Sequence, residues 1–509
     1  MAKYKSYDYS QSVLIPVCLD EQLMPGTLEF AIHTLVQTRI DTSIFDHRYH
    51  NDETGREAYD PKVLLKVVLF GYSRGLISSR QIERGCKENV VFMALGCGLQ
   101  PDHSTIAAFV SSMKGEILPL FRDVLLVCEE EGLLGGTFFA LDGCKLPSNA
   151  SREWTGTIGD LRRKKEKIEK KVKGLLEEQV EADKEDDNDE RSGKLSGIVK
   201  REKQVERLKK QADRIETFLR ENGPKMGKQG REIKSNITDN ESATMVTSRG
   251  TVQGYNGQAM VDSKKQVIVH GEAFGDGQDH YHVPPMLDGA KQNMQAIGQS
   301  EDYFEGKILT ADSLYHSPTN LRKRNEEKLD AYIPDKDFRK RDPRLKTKGG
   351  YRPKMERFTL EDFRHNEKTD EYLCPQENIL KLQVRKTQVG GVIYRRYVAD
   401  RNDCQGCALK SRCIIGKNGE RRYLNVPIGN APDNLTPSMI EKIDSKKGRE
   451  IYPQRIAVVE PVFANVRTQK RMDRFTLRGK IKVTIQWLLY CMIHNIEKIV
   501  HYGVNYGVT

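Results

Sequence analysis

Two short apolar runs, each closing on an aspartate, constrain this chain more than any other feature. Thr137-Phe138-Phe139-Ala140-Leu141-Asp142-Gly143 and Lys307-Ile308-Leu309-Thr310-Ala311-Asp312 have the length of buried strands. A glycine turn is expected at Gly143, leaving Asp142 at a strand tip. A carboxylate at the end of an apolar strand carries a desolvation cost, which a cap, a cation or a metal ion must offset. Neighbouring strands lie about 4.8 Å apart, so a parallel pairing of the two runs brings both carboxylates to one edge. Two such anions repel each other, and oxygen-rich sites with open positions suit magnesium.

The segments around these runs complete an α/β order. Tyr255 to Val261 and Gln266 to His270 flank Asp262-Ser263-Lys264-Lys265, a turn signal that predicts a hairpin. A helix from Pro284 to Ile297, another opened by Ser317-Pro318 and running to about Glu327, and a strand over Leu329 to Ile333 follow. Between the first aspartate and the hairpin, Leu161, Ile168, Val172 and Leu175, then Val205, Leu208, Ala212, Ile215 and Leu219, recur at helical spacing. The acidic run from Asp183 to Glu190, with Ser192-Gly193 after it, reads as the tip of this helical hairpin, a solvated surface insertion.

Up to about residue 132 the chain reads as short capped helices. Asp60-Pro61 opens one whose buried stripe is Leu64, Leu65, Val67, Val68 and Tyr72, ended by Gly75. Ser79 is expected to cap a second, and Asp102 or Ser104 a third. A helix-turn-helix DNA module has this appearance, and so does ordinary helical packing.

Net charge enters through its clustering. Lys and Arg number 83 against 72 Asp and Glu, a surplus of +11. From Lys336 to Arg357 the chain concentrates Lys and Arg, among them Arg339, Lys340, Arg341, Arg344, Lys346 and Lys348, so a phosphate-contacting arm is expected, with a solvated loop as the alternative. Of ten cysteines, Cys374, Cys404, Cys407 and Cys413 are bunched, the last three as C-x2-C-x5-C. Four thiolates match a structural zinc site in number; an iron–sulfur cluster takes the same four, and reduced unligated thiols are the plain alternative. Near the C-terminus, Arg455, Glu460, Arg467, Lys470 and Arg471 precede an apolar helix from Ile481 to Val500. Glu460 and Arg467 stand seven apart and would share a helix face, which makes Glu460 a plausible third carboxylate beside phosphate-holding arginines; a solvated face has the same pattern. His280 and His282, with Asp279, are expected to cap the helix before Pro284, and Trp154 to fill a core. Apolar runs are too short for a membrane span, and no export signal opens the chain, so a cytoplasmic protein is expected.

The segments FFALDGCKLPSNAS, LTADSLYHSPTNL and YPQRIAVVEPVFANVR, in that order, resemble the three acidic motifs of bacterial insertion-sequence DDE transposases, closest to the "eleven-eighty-two" group. The resemblance includes PKVLLKVVLFGYSRGLISSRQIE, the helical insertion and the cysteine cluster. It implies an RNase H-like mixed-sheet core, interrupted by the helical hairpin and by a cysteine-containing β-rich insertion, after an all-α N-terminal domain. The implied boundaries are 1–132 for the helical DNA-binding domain, 133–152 and 236–335 for the core, 153–235 for the hairpin, 336–450 for the basic and four-cysteine insertion, and 451–509 for the last core helices. By resemblance Asp142, Asp312 and Glu460 form the triad that binds two Mg²⁺ or Mn²⁺ ions, with Arg467 stabilising phosphate charge and Tyr452 and Arg455 flanking the glutamate. In the related tyrosine-arginine-glutamate-lysine signature three residues separate arginine from glutamate; four do here, and Arg467 stands where that signature has lysine. The implied activity is cleavage and joining of double-stranded DNA at transposon ends and target by a homodimer, in a bacterial, nucleoid-associated setting. A related nuclease or recombinase without strand transfer, and a noncatalytic DNA-binding descendant, are the alternatives.

Overall fold

The computed structural model describes residues 16–49, 57–184, 191–227, 230–248, 250–345, 347, 357–389, 392–414, 419–428 and 435–504. The chain divides into two units: Met1–Tyr315 with Glu326–Ala331 and Pro453–Thr509, and His316–Asn325 with Tyr332–Tyr452.

The first unit begins with helices α1 (Leu28–Thr38), α2 (Pro61–Ser73), α3 (Ser79–Glu88), α4 (Val90–Leu95), α5 (His103–Ser112) and α6 (Ile117–Glu130). Local chemistry sets their starts. The Asp60 carboxylate accepts from Lys62 N at 2.7 Å ahead of Pro61, and Asp102 accepts from Ser104 N and Thr105 N. The α3 cap is Ser78 rather than the expected Ser79, because Gln81 lies three residues after Ser78 and closes a reciprocal capping box.

Strand β1 (Phe138–Pro147) follows, then β2 (Thr155–Gly156), the long helices α7 (Ile158–Lys184) and α8 (Arg191–Glu221), and β3 (Ser235–Asn236), which pairs with β2. The helices pack as the spacing predicts: Leu161, Val172, Val205, Leu208, Ala212 and Ile215 are buried, and Trp154 joins Ile158, Leu161, Ile215 and Phe218 in their core. The expected hairpin tip lies, for 185–190, outside the described residues, and Ser192 and Gly193 are part of α8. Next come β4 (Ala243–Thr247), β5 (Gly250–Asp262), β6 (Ile268–Phe274), α9 (Val283–Ala296) and β7 (Ile308–Ala311). They build a sheet in the order β4-β5-β1-β7-β8, with β6 also on β5; β8 (Asp330–Tyr332) is the strand on which the division between the units falls. The chain is thus α/β with a mixed sheet: β1 runs antiparallel to β5 and parallel to β7.

One expectation needs correction. β1 does not turn at Gly143 but continues to Pro147, paired with β5 from Phe139↔Asp262 to Pro147↔Gly254. The missing side chain at Gly143 serves a close approach instead, since a Cβ there would stand 2.1 Å from Gln258 Nε2 and 2.6 Å from Asn256 Oδ1.

The second unit holds α10 (Pro318–Glu326, except its last residue), α11 (Phe338–Arg341), strands β9 (Arg364–Asn366), β10 (Glu371–Leu373), β11 (Ile379–Val389) and β12 (Val392–Ala399), helices α12 (Arg401–Gln405) and α13 (Lys410–Cys413), β13 (Tyr423–Pro427), α14 (Thr436–Asp444) and α15 (Lys446–Ile451). Its sheet is antiparallel, in the order β13-β12-β11-β10-β9, around Phe363, Tyr372, Leu380, Tyr397 and Leu424.

The chain then returns to the first unit with α16 (Gln454–Ala464), a π-turn over Asn465–Gln469 and α17 (Lys480–Tyr502). α17 is buried almost throughout and packs against α1, α2, α5, α6, β5 and β6. Tyr490 stacks on Tyr72, centroids 5.0 Å apart, and Trp487 Nε1 donates to Gln258 O at 2.8 Å. Asn495 clasps the backbone of Ile268, accepting from its N and donating to its O, both at 2.8 Å. That clasp supplies the hydrogen bonds a sheet neighbour would otherwise give. No helix among the described residues is long and apolar enough to cross a membrane.

Candidate active site

Parallel pairing of β1 with β7 ends at Leu141↔Ala311, so Asp142 and Asp312 follow one another's register on adjacent strands. Asp142 senses the charge of Asp312. Burial raises Asp142 to about 6, and the charge of Asp312 adds to the rise, while Arg455 and the Gly143 N–H oppose it. Asp142 Oδ1 accepts from Gly143 N at 2.8 Å and Oδ2 from Arg455 Nη1 at 2.5 Å. Asp312, also raised by burial, accepts from Leu314 N at 2.8 Å, and the charge of Asp279 pushes it up further.

Asp279 takes a role that sequence reasoning missed. Neither it nor His282 caps α9: the position before that helix has no side-chain cap. The buried Asp279 carboxylate instead accepts from Asn256 Nδ2 and Gln258 Nε2, both at 2.7 Å. Gln258 in turn accepts from the Tyr315 hydroxyl, three residues beyond Asp312. His282 Nε2 lies 2.8 Å from Asp276 Oδ1, and its ring stacks on Phe274. A polar chain therefore links β5 to the turn that carries Asp312. The signal was present in β5, where Gln253, Asn256 and Gln258 interrupt a strand buried along most of its length and so call for polar partners.

Glu460 lies on α16 and is exposed. Glu460 stands five positions after Arg455, about 140° around a helix, so the two side chains leave α16 in different directions. The seven-residue spacing to Arg467 does not place both on one α-helical face, because α16 ends at Ala464 and Arg467 belongs to the π-turn. Pro461 contributes to this local break: it has no N–H for the Ala457 carbonyl, which accepts from Gln266 Nε2 at 2.9 Å instead. Arg467 still bears on β1. Burial pushes the Cys144 thiol up to about 12, Arg467 opposes the rise, and Cys144 shares a strand face with Asp142.

Residues 17–112 match the model of a transposase domain (DUF772), and residues 373–500 that of a transposase DDE domain. The two matches support a DDE transposase. The DDE match takes in Glu460, Arg467 and the four clustered cysteines, and begins after Asp142 and Asp312. No curated protein and no solved structure matches the chain.

The basic residues that the sequence offers for phosphate contact differ in whether an acidic partner already holds them. Arg341 is held by Asp335 and by Asp444, its Nε 2.8 Å from Asp444 Oδ2. Arg344 pairs with Asp342 at 2.8 Å and Lys340 with Asp337 at 2.7 Å, while Arg339 is exposed. Lys346 and Lys348 lie outside the described residues. Lys470 is buried, 2.6 Å from Glu497, so a phosphate contact would require breaking that pair; Arg471 is exposed.

The donor chemistry at the two candidate metal centres can be tested directly. Asp142 and Asp312 are half-buried oxygen donors whose carboxyls burial holds above the usual carboxylate range, a donor type that fits a hard divalent ion. Arg455 supplies part of that charge. In the second unit, Cys374, Cys404, Cys407 and Cys413 line one cavity, and burial with the neighbouring thiols raises Cys404 and Cys413. Sulfur donors of this number fit zinc. Among the described residues, no three His, Cys, Asp or Glu side chains are arranged to hold a metal ion, so the structure brings together the aspartate pair and the cysteine lining without forming a closed ligand set at either.

Proposed function

We propose that the chain is an insertion-sequence DNA transposase of the "eleven-eighty-two" group that binds the inverted-repeat ends of its element and cuts and joins DNA at Asp142, Asp312 and Glu460. One observation carries the reading: two half-buried aspartates at register-adjacent positions of parallel strands, in a chain whose ends match transposase domains. Strand order supports an RNase H-like core, with β6, β5 and β1 antiparallel and β7 parallel on the far side of β1.

Asp142 and Asp312, with Glu460 as third carboxylate, would hold two Mg²⁺ or Mn²⁺ ions. Such ions, when bound, acidify an attacking water or 3′-hydroxyl and stabilise the departing oxygen. The protein's own part is positioning and charge. The Gly143 and Leu314 N–H groups orient the two carboxyls. Arg455 and Arg467 offer guanidinium groups to the scissile phosphate, whose geometry suits a forked donor. Helices α1–α5 contribute to end recognition, the four cysteines hold structural zinc, and a homodimer pairs two ends in the bacterial nucleoid.

Incubating full-length protein with DNA carrying the element's ends and Mg²⁺ tests the reading. Nicking that disappears in Asp142→Ala is expected, together with joined product on target DNA. Cutting without joining would reassign the protein as a nuclease, and a mobility shift without cutting as a binder.

A further inference from the structure

We propose that α8 carries a phosphate-tracking surface through which the helical hairpin grips a DNA duplex; this rests on the transposase reading. Lys203, Arg207, Lys210 and Arg214 line an open groove together with Trp154, Glu206 and Gln211. Their spacings of four, three and four residues confine the four cations to an arc of about 60° on one face. All four are exposed, while Val205, Leu208, Ala212 and Ile215 turn the other way into the hairpin core.

Two properties of this stripe suit it to a phosphate backbone. The first is spare charge. Lys210 pairs with Glu206 at 2.7 Å, but Lys203, Arg207 and Arg214 have no ion pair among the described residues. In the basic segment after Lys336, by contrast, Arg341, Arg344 and Lys340 are taken up by Asp335, Asp444, Asp342 and Asp337. The second is length. From Lys203 to Arg214 the helix advances about 16 Å, which spans about five phosphates of one DNA strand at 3.4 Å of axial rise each. The groove floor is fixed, because Trp154 is buried and Lys164 Nζ sits 4.2 Å from its ring centroid. Recognition of this kind reads backbone charge and carries no base sequence.

The test uses the full-length protein and a short fluorescein-labelled duplex of mixed sequence, with anisotropy titrations over a range of salt. In the triple variant Lys203→Gln, Arg207→Gln, Arg214→Gln, the slope of log affinity against log salt is expected to flatten by about 2.7, at roughly 0.9 per lost phosphate contact. Removing the same charge from α7, by Lys167→Gln, Lys170→Gln and Lys171→Gln, should leave the slope near that of the wild type. All six residues are exposed, so far-UV circular dichroism should show an unchanged fold. An unaltered slope in the α8 variant, or equal flattening in the α7 variant, overturns the proposal while leaving the transposase reading intact. A wild-type protein that binds no duplex removes both.

Discussion

Asp142 shows how one residue couples fold, acidity and ion binding. Its carboxyl titrates near 6 because burial and Asp312 together outweigh Arg455. Between about pH 4 and 6 the unfolded chain has released this proton while the folded chain keeps it, so the group's contribution to stability falls as pH rises through that window. Above pH 6 the penalty is complete, at about 3 kcal/mol. A divalent ion relieves it. Mn²⁺ should therefore raise Tm at neutral pH by more than it does near pH 5, where the proton competes for the oxygen; equal gains at both would contradict a site at Asp142. At Asp279 the expectation concerns packing. Asp279→Ala strips the acceptor from Asn256 Nδ2 and Gln258 Nε2, and urea unfolding should show a loss of about 2–4 kcal/mol. The Asp142 and Asp312 positions were legible in the sequence because a carboxylate at the end of an apolar run is costly enough to stand out, even though β1 itself continues past Asp142 to Pro147. Asp279 was not legible in that way, since its donors lie on β5, more than twenty residues earlier, and only folding makes them neighbours.

At the scale of elements, periodicity and capping chemistry located α2, α3, α5, α7–α10, α17 and the two aspartate-bearing strands, and left α1, α4, α6 and α11–α15 unread. What they could not locate was where pairing outlasts a local turn signal. Gly143 reads as a turn in isolation, yet it lies inside β1 because β5 offers partners as far as Pro147 and the side chains of Asn256 and Gln258 need the space. Gly143→Ala should accordingly destabilise the protein by about 1–3 kcal/mol in denaturant titrations, since the added methyl displaces part of the Asp279 network. A stability equal to wild type would show that β1 and β5 are less tightly apposed. The same limit applies at Pro461. Seven residues equal two turns only in an unbroken α-helix, and the π-turn after α16 changes the direction in which Arg467 points. The edge strand β4 went unread because Ala243–Thr247 is short and exposed on one side, with no apolar run to mark it.

For the molecule as a whole, the two units pose separate questions. The second unit's small core leans on Cys404, with Cys374 and Cys413 packed around it. If these thiols hold zinc, purified protein carries about one zinc per chain, and Cys404→Ser loses the metal and unfolds that unit at a lower temperature; metal-free wild-type protein of full stability would assign the cysteines to packing alone. The first unit is closed by its most distant part. α17 fills the space between α1, α2, α5 and α6 on one side and β5 and β6 on the other, so the hydrophobic interior begun by residues 28–130 stays open until residues 480–502 exist. At synthesis rates of about 5–20 residues per second, the growing chain spends roughly 18–70 s with that apolar surface uncovered on the ribosome. Assembly of the first unit is thereby tied to the end of translation: a nascent chain interrupted before α17 lacks the helix that seals the interior, and chaperones or proteases meet it in that state.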